Sequence, residues 1–366
     1  MTVAKSAMIA MSGGVDSSVA ALLAIRAGYD CTGVTMRLFD NEDIGIERES
    51  TCCSLSDIED ARSICNKLGI PYYVFNFTDT FAEQVIDRFI NDYENGRTPN
   101  PCIDCNRYLK FDRLLKRAQE TNFDYVITGH YVRREYDEAS GRYLLKRGLD
   151  HNKDQSYVLY GMTQEQLAHT LFPLGELTKH EVRDIAREQG FLTAEKSESQ
   201  DICFVPDRDY GAFIRHYTGK QYPGGDIVDD DGAQLGSHSG IIDFTVGQRK
   251  GLGVAVGHPL YVTALDPKSA TVFVGEEEGL LHKTAVLEDV NLIACASIEG
   301  ELECTAKHRY RSVDKPVTVT QSEGASGEVT LTVTFDEPQK AITSGQALVL
   351  YNGDVVIGGG TIGEVM

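Results

Sequence analysis

The sequence predicts an α/β protein whose N-terminal part is a doubly wound parallel sheet and whose C-terminal part is all β. Short apolar runs alternate with helical patterns up to about residue 130, which is typical of a parallel sheet with helices on both faces. A glycine turn joins the first strand to the first helix. From about residue 220 glycine-rich, β-branched segments dominate, and these indicate strands and turns.

The elements of the predicted sheet follow one another along the first third of the chain. Strands are predicted at 7–11, 31–36, 71–77 and 125–130, and helices at 19–25, 56–68, 78–93 and 111–121. Parallel sheets bind ligands at the carboxyl ends of their strands. We therefore expect Ser12, Met36, Gly129 and His130 to lie along one edge.

The remaining elements are shorter. The sequence predicts a β-hairpin over 131–147, a capped helix from Thr178 to Gly190 and a short helix over 208–217. The all-β region divides near residue 280. The first part contains the β-rich stretch 241–274, and the second covers 285–366.

The stretch Ala10 to Ser18 (AMSGGVDSS) connects the first strand to the first helix. Gly13 and Gly14 allow backbone angles closed to other residues, so several N–H groups can converge on one anion. The helix N-terminus adds a partial positive charge, and three serine hydroxyls add donors. The stretch lacks the lysine of a Walker A loop and the glycine spacing of a dinucleotide fingerprint. Phosphate is the occupant it favours, and an ordinary strand–turn–helix corner is the alternative.

Composition limits the functional classes. The 366 residues carry a formal net charge of −20, which argues against a surface that binds nucleic acid everywhere but permits a local basic groove. No apolar run approaches the roughly 18 residues of a membrane span and no leader is visible, so we expect a cytoplasmic protein without a membrane partner. Nine cysteines, an odd number, disfavour a disulfide framework and favour a catalytic, redox or metal-binding subset.

Three cysteines stand in two polar motifs. Cys102 and Cys105 form a C-x-x-C in a proline-containing stretch predicted as a loop between two helices, and Cys203 lies in SQDICF far downstream. A C-x-x-C alone is ambiguous. Zinc would need a second ligand pair at suitable spacing, and none is evident. A structural role is the alternative.

Five strings, in this order, resemble the bacterial tRNA-specific 2-thiouridylases of the ATP pyrophosphatase (PP-loop) superfamily: SGGVDSS, GRTPNPCIDCN, TGHY, KDQSY and SQDICF. The resemblance covers essentially the whole chain. It implies an adenine nucleotide α-hydrolase type domain at 1–207, a small mainly-β domain at 208–280 and a tRNA-contacting β-barrel at 281–366. Two alternatives stay open: an ammonia-using ATP pyrophosphatase synthetase, and an RNA-binding protein with an inactive nucleotide fold.

The resemblance also implies a reaction and its binding residues. ATP, with Mg²⁺ offsetting charge, would adenylate O2 of a wobble uridine flipped out of the anticodon stem-loop, and sulfur would then displace AMP. Asp16 would help to place metal or water. The implied ATP-binding positions are Ala10, Met11, Ser12, Gly13, Gly14, Val15, Asp16, Ser17, Met36 and Gly129. The implied tRNA-binding positions are Asn100, Pro101, Cys102, His130, Lys153, Asp154, Gln155, Arg309, Tyr310 and Gln346.

The sulfur step would use two cysteines. A sulfur donor protein (a cysteine desulfurase or sulfur carrier) would load Cys203 as a persulfide, and the Cys105 thiolate would release its sulfur by closing a disulfide. Cys102 stands where the family usually has an aspartate assigned as general base, and Asp104 is a displaced substitute. Cys102, Cys105 and Cys203 as ligands of a [4Fe–4S] cluster are therefore the alternative.

Overall fold

A parallel sheet forms the N-terminal part of the protein, as the sequence predicts. The structure is a computed structural model that describes residues 4–39, 55–196, 202–205, 207–324 and 327–366. Five parallel strands are arranged in this spatial order: Tyr72–Asn76, Asp30–Arg37, Ser6–Ala10, Tyr125–Ile127 and Thr170–Leu171. The last strand was not predicted, because two residues are too few to give a periodic pattern.

The two faces of this sheet bury different residues of the same strand. Met8 packs in one apolar cluster with Phe81 and Phe89, whereas Ala7 and Ile9 pack in a second cluster. Because side chains alternate along a strand, this division means that both faces are covered. The longer helices of the described residues are Val15–Arg26, Leu55–Leu68, Asp87–Glu94, Lys179–Glu188 and Tyr210–Thr218.

The helix that carries the C-x-x-C begins ten residues earlier than the sequence predicts. Pro101–Asp104, Cys105–Arg113 and Leu114–Glu120 follow without a break; we call them together the cysteine helix. Its middle segment is a π-helix. The prediction of a loop is therefore wrong from Pro101 onwards. A π-helix has a wider turn than an α-helix, so its buried side chains do not follow the 3.6-residue period used to find it.

Short helical segments complete the described helices. Thr78–Phe81 and a π-helical Ala82–Ile86 lead directly into Asp87–Glu94. The others are Gln164–Ala168 and the 3₁₀ turns Ser156–Leu159, Leu192–Glu195, Ile241–Asp243 and Glu277–Leu280.

Two β units follow, as predicted. The central unit is a four-stranded sheet of Gly225–Val228, Gln234–His238, Tyr261–Asp266 and Thr271–Gly275. The C-terminal unit contains Leu281–Leu292, Glu301–Lys307, Lys315–Glu323, Val329–Lys340, Ala347–Asn352 and Val355–Val365. Its first and last strands pair with each other, so these six strands close into a barrel.

The predicted hairpin joins the N-terminal part to this barrel. Its strands are Val132–Asp137 and Arg142–Arg147, and Lys146 pairs with Val355 of the last barrel strand. A single apolar cluster contains Phe111 of the cysteine helix together with Tyr351 of the barrel. The described residues include no helix long and apolar enough to cross a membrane.

Candidate functional site

The glycine turn after the first strand has a backbone shape that demands glycine. Gly13 has φ +70°, and a Cβ there would lie 2.8 Å from Asp57 Cα. Gly14 is the residue before the helix Val15–Arg26 and has an extended conformation. The predicted strand–turn–helix geometry is therefore present, with the helix N-terminus at the turn.

The serines of the turn act differently from the expectation that all their hydroxyls face an anion. Ser17 and Ser18 are buried, and their hydroxyls donate to Gly14 O at 3.1 and 2.8 Å. Ser17 Oγ also accepts from Ser12 N at 3.2 Å. Ser12 is the exposed serine of the three. Ser17 and Ser18 thus hold the shape of the loop from inside.

Met36 and Gly129 lie beside this loop, as the topology predicts. Thr35 Oγ1 donates to Met11 O at 2.8 Å, which ties the strand end at Met36 to the start of the loop. A Cβ on Gly129 would lie 2.8 Å from the Asp16 carbonyl carbon. The implied ATP-binding positions therefore meet at one edge of the sheet.

The Asp16 carboxylate is held by partners that the sequence did not reveal. Lys179 Nζ donates to both its oxygens, at 2.7 and 2.9 Å, and Tyr131 OH donates to Oδ1 at 2.7 Å. Lys179 is buried and lies in the first turn of its helix, where the helix dipole disfavours a cation. A lysine in the first turn of a predicted helix is therefore a sequence feature that indicates a functional role for Lys179.

A second lysine, Lys196, also bonds to the loop. Lys196 Nζ donates to Gly13 O at 3.1 Å and to the carboxylates of Asp57 and Asp60 at 2.6 Å each. Lys196 is the last described residue before the SQDICF motif. Ser199, Gln200 and Asp201 of that motif lie outside the described residues.

The cysteines of the two motifs share an apolar environment. Cys105 and Cys203 are half-buried, and both pack against the core cluster that contains Phe204 and Leu109. Cys102 is exposed on the first turn of the cysteine helix, directly after Asn100 and Pro101. The fold therefore anchors both cysteines of the implied sulfur step on one core.

Burial and one neighbouring cation have opposite effects on the pKa of the Cys105 thiol. Burial raises the pKa of its thiol, the Lys110 ammonium lowers it, and the Asp104 carboxylate raises it. Asp104 itself is largely buried, which raises its pKa to about 6, although Arg88 lies 3.7 Å away. The Asp104 carboxyl group therefore changes between its protonated and ionised forms near pH 6.

The three motif cysteines are not arranged as metal ligands. Among the residues that the structure describes, no group of three or more His, Cys, Asp or Glu side chains is placed to hold a metal ion. Cys102, Cys105 and Cys203 therefore do not form such a group in the part of the chain that the structure describes.

The implied tRNA contacts at 153–155 differ in exposure. Lys153 and Gln155 are half-buried, whereas Asp154 is buried. The Asp154 carboxylate accepts from Gly148 N at 3.1 Å and from Ser156 Oγ at 2.7 Å, and Gln155 Oε1 accepts from Tyr131 N at 2.9 Å. Asp154 thus serves as an internal acceptor that shapes this loop.

His130 lies at the carboxyl edge of the sheet but is buried. Its Nδ1 is 2.8 Å from Thr128 Oγ1, and its ring centroid is 5.8 Å from that of Phe111 in the cysteine helix. Burial lowers the pKa of His130 well below its usual value. His130 is therefore neutral, and it links the strand end at Gly129 to the cysteine helix.

Two of the three implied tRNA contacts of the barrel bond to the N-terminal part. Tyr310 OH donates to Asp154 O at 3.2 Å. Arg309 Nη2 donates to Ala341 O at 2.7 Å, and Gln346 Nε2 donates to Thr98 O at 2.8 Å. Tyr310 and Gln346 thus lie where the barrel meets the N-terminal part, whereas Arg309 bonds within the barrel.

Comparisons with known proteins follow the same three-part division. Family models described as tRNA methyl transferase HUP domain, tRNA methyl transferase PRC-barrel domain and Aminomethyltransferase beta-barrel domain match residues 5–207, 211–276 and 282–362. A curated relative, tRNA-specific 2-thiouridylase MnmA of Clostridioides difficile (strain 630), is 49% identical over 358 residues and 98% of each chain. The protein of that name from Moorella thermoacetica (strain ATCC 39073 / JCM 9320) is 50% identical over 98% of this chain and 99% of its own.

A solved structure of a 4-thiouridine synthetase–RNA complex with bound ATP is 21% identical to the chain. It covers 55% of this chain and 45% of its own length, with a TM-score of 0.36. A likeness of that size carries no argument about function.

Proposed function

Because the chain belongs to the tRNA-specific 2-thiouridylase family, we propose that it catalyses the ATP-dependent 2-thiolation of the wobble uridine of tRNA. The observation that carries this proposal is the match of about half of all residues along 98% of both chains. The packing of Cys105 and Cys203 against one apolar cluster and the presence of a glycine turn of the phosphate-binding type support it further.

In the first step, uridine O2 attacks the α-phosphorus of ATP, and pyrophosphate leaves. The backbone N–H groups of the glycine turn and the N-terminus of Val15–Arg26 would hold the phosphates. Asp16 offers a carboxylate that fits Mg²⁺, since Mg²⁺ binds ATP through one or two carboxylates and the phosphates. Bound there, Mg²⁺ would offset charge on the leaving pyrophosphate. Lys179 and Tyr131 orient this carboxylate.

In the second step, the terminal sulfur of a Cys203 persulfide bonds to C2 of the base, and AMP leaves with the former O2. The Cys105 thiolate attacks Sγ of Cys203, so the sulfur–sulfur bond of the persulfide breaks and a Cys105–Cys203 disulfide forms. A dithiol reductant then restores the thiols, and a cysteine desulfurase or sulfur carrier reloads Cys203. The target base would sit beside Asn100, Pro101 and Cys102, flipped out of the anticodon loop.

A direct test is 2-thiouridine formation on unmodified tRNA. The anaerobically purified protein is incubated with ATP, Mg²⁺ and a persulfide source, and nucleosides are measured by mass spectrometry. We expect Cys105→Ser and Cys203→Ser to abolish 2-thiouridine, and Cys102→Ser to retain it. Cys31→Ser, at a buried core cysteine, is the control for an unrelated thiol.

Two outcomes would contradict the proposal. If all three motif cysteines are essential and activity follows bound iron, sulfur is transferred through a cluster. If the wild type makes no 2-thiouridine with any sulfur source but forms AMP with ammonia and another acceptor, the chain is a different ATP pyrophosphatase.

A further inference from the structure

The segment before the cysteine helix is held from two sides by the β units. It runs from Asn95 to Asn100, between the helix Asp87–Glu94 and Pro101. On the side of the central unit, Lys220 Nζ and Tyr222 OH donate to Glu94 Oε1 at 2.7 and 2.6 Å. Gly96 has φ +69°, and a Cβ there would lie 3.1 Å from Pro267 Cγ. The start of the segment is therefore packed tightly against the central unit.

The barrel satisfies the backbone of the other end of the segment. Thr98 N donates to Ser344 O at 2.9 Å. Gln346 Nε2 donates to Thr98 O at 2.8 Å and to Pro99 O at 3.3 Å. Proline has no N–H, so these bonds engage every backbone polar group of Thr98 and Pro99. Buried backbone groups are costly to leave unpaired, and the segment therefore depends on the barrel for its conformation.

The barrel turn and the segment before the cysteine helix approach each other so closely that position 345 requires glycine. Gly345 has φ +87°, and a Cβ there would lie 2.9 Å from Arg97 Cβ and 3.0 Å from Thr98 N. Arg309 supports the turn from behind, because its Nη2 donates to Ala341 O and Thr343 Oγ1. We call the barrel turn 343–346 the clasp.

We propose that the clasp is a positioning element for sulfur transfer. By holding Thr98 and Pro99, it fixes where the cysteine helix begins, and with it Asn100, Cys102 and Cys105. Gln346 and Gly345 are thus positioning residues for the target base and the thiols. The assignment to sulfur transfer rests on the proposed function. A direct contact of Gln346 with tRNA is the competing role.

The test compares Gln346→Ala with Gln321→Ala, whose side chain makes a bond inside the barrel, to Ile298 N at 2.9 Å. We expect Gln346→Ala to lower kcat about tenfold, as loss of one or two hydrogen bonds in the reacting complex allows. KM for an anticodon stem-loop should stay within about twofold, because the Gln346 side chain bonds to Thr98 and Pro99 of the protein and not to the RNA. Gln321→Ala should leave both constants unchanged.

A second readout uses no tRNA and no thiolation. The alkylation rates of Cys102 and Cys105 by iodoacetamide, followed by peptide mass spectrometry, should change in Gln346→Ala and not in Gln321→Ala. Gly345→Ala should change them as well, whereas Gly300→Ala should not. Gly300 also has positive φ (+70°), but a Cβ there would meet nothing within 4 Å. The comparison of Gly345→Ala with Gly300→Ala separates the effect of backbone strain from the effect of losing the clasp.

The proposal is overturned if Gln346→Ala raises KM for the stem-loop while both alkylation rates stay at the wild-type value. Gln346 would then contact tRNA. Equal effects of Gln321→Ala and Gln346→Ala would also overturn it, since both would report general destabilisation. Because alkylation is measured without tRNA, absence of thiolation in the wild type would reject the proposed function and leave the clasp testable.

Discussion

At Cys105 the environment works against the ionisation that the proposed step needs. Burial raises the pKa of this thiol, and Lys110 is the cation that counters it. A thiolate, not a thiol, attacks sulfur. Lys110 is therefore the side chain on which the reactivity of Cys105 depends most directly.

Replacing Lys110 by methionine should raise the pKa of Cys105 further. At a fixed pH below that pKa the thiolate fraction then falls, so the alkylation rate of Cys105 at pH 8 should drop about threefold, corresponding to roughly half a pKa unit. The pH profile of alkylation, measured on the Cys105 peptide, should move to higher pH.

Lys116→Met provides the matched control, because Lys116 is exposed on the same helix and pairs with Asp112. It should leave the profile in place. An unchanged or acid-shifted profile for Lys110→Met would show that Lys110 does not act on Cys105.

Single residues near the glycine turn show which features the sequence can reveal. Gly13 and Gly14 were predictable because turn geometry is local in the chain. Lys179 and Lys196 were not, since they reach Asp16 and Gly13 from 163 and 183 positions away. Only the tertiary fold brings such partners together.

Among the elements, the glycine turn has a shape that allows little change. Gly13→Ala combines a positive φ with a collision against the backbone of Asp57. We expect it to destabilise the protein by about 2–4 kcal/mol and to abolish ATP binding, measured by denaturant unfolding and with a fluorescent ATP analogue.

Gly28→Ala is the comparison for this effect. Gly28 also has positive φ (+87°), but a Cβ there would meet nothing within 4 Å, so the cost should be about 1 kcal/mol with ATP binding retained. Equal losses for the two variants would contradict the account of the turn.

The elements also show where periodicity fails as a guide. Four of the five strands of the parallel sheet were predicted, because apolar runs bounded by turns identify buried strands; Thr170–Leu171 was too short to be found. The cysteine helix was mistaken for a loop over 101–106, because Pro99 and Pro101 indicate a loop in the sequence, although proline also suits the first residue of a helix. The hairpin was predicted from local signals, but its pairing with Val355 was not, since that partner lies more than 200 residues away.

At the scale of the whole molecule, the three sequence-matched parts share apolar clusters in addition to the clusters that lie within a single part. One apolar cluster runs from Phe81 of the catalytic part to Val262 of the central unit, and another joins Phe111 to Tyr351 of the barrel. Parts that share cores unfold together. We therefore regard the barrel as an integral support of the catalytic part.

Arg147 tests this coupling at the junction with the barrel. Its guanidinium is mostly buried, donates to Asp314 Oδ2 at 2.5 Å and lies 3.7 Å from the Tyr351 ring centroid. Arg147→Ala should lower the free energy of unfolding by about 3 kcal/mol, because it leaves the buried Asp154 and the half-buried Asp314 without their cation and removes the contact with Tyr351. Calorimetry should still show a single transition, at lower temperature.

Arg187→Ala is the matched control, since Arg187 is exposed and pairs with Glu195 on the surface. Its cost should not exceed about 1 kcal/mol. Similar losses for Arg147→Ala and Arg187→Ala, or two separate transitions in the wild type, would contradict a shared core.

The fate of the oxygen at O2 of the wobble uridine distinguishes activation by ATP from other routes to 2-thiouridine. An anticodon stem-loop carrying ¹⁸O at O2 of the wobble uridine is given to the persulfide-loaded protein with ATP for a single turnover, and all products are analysed by mass spectrometry. If ATP activates O2 and sulfur displaces AMP, the ¹⁸O appears in AMP in equal amount to the 2-thiouridine formed. Recovery of ¹⁸O in pyrophosphate or water, or unchanged ¹⁸O-uridine beside AMP, would contradict the account.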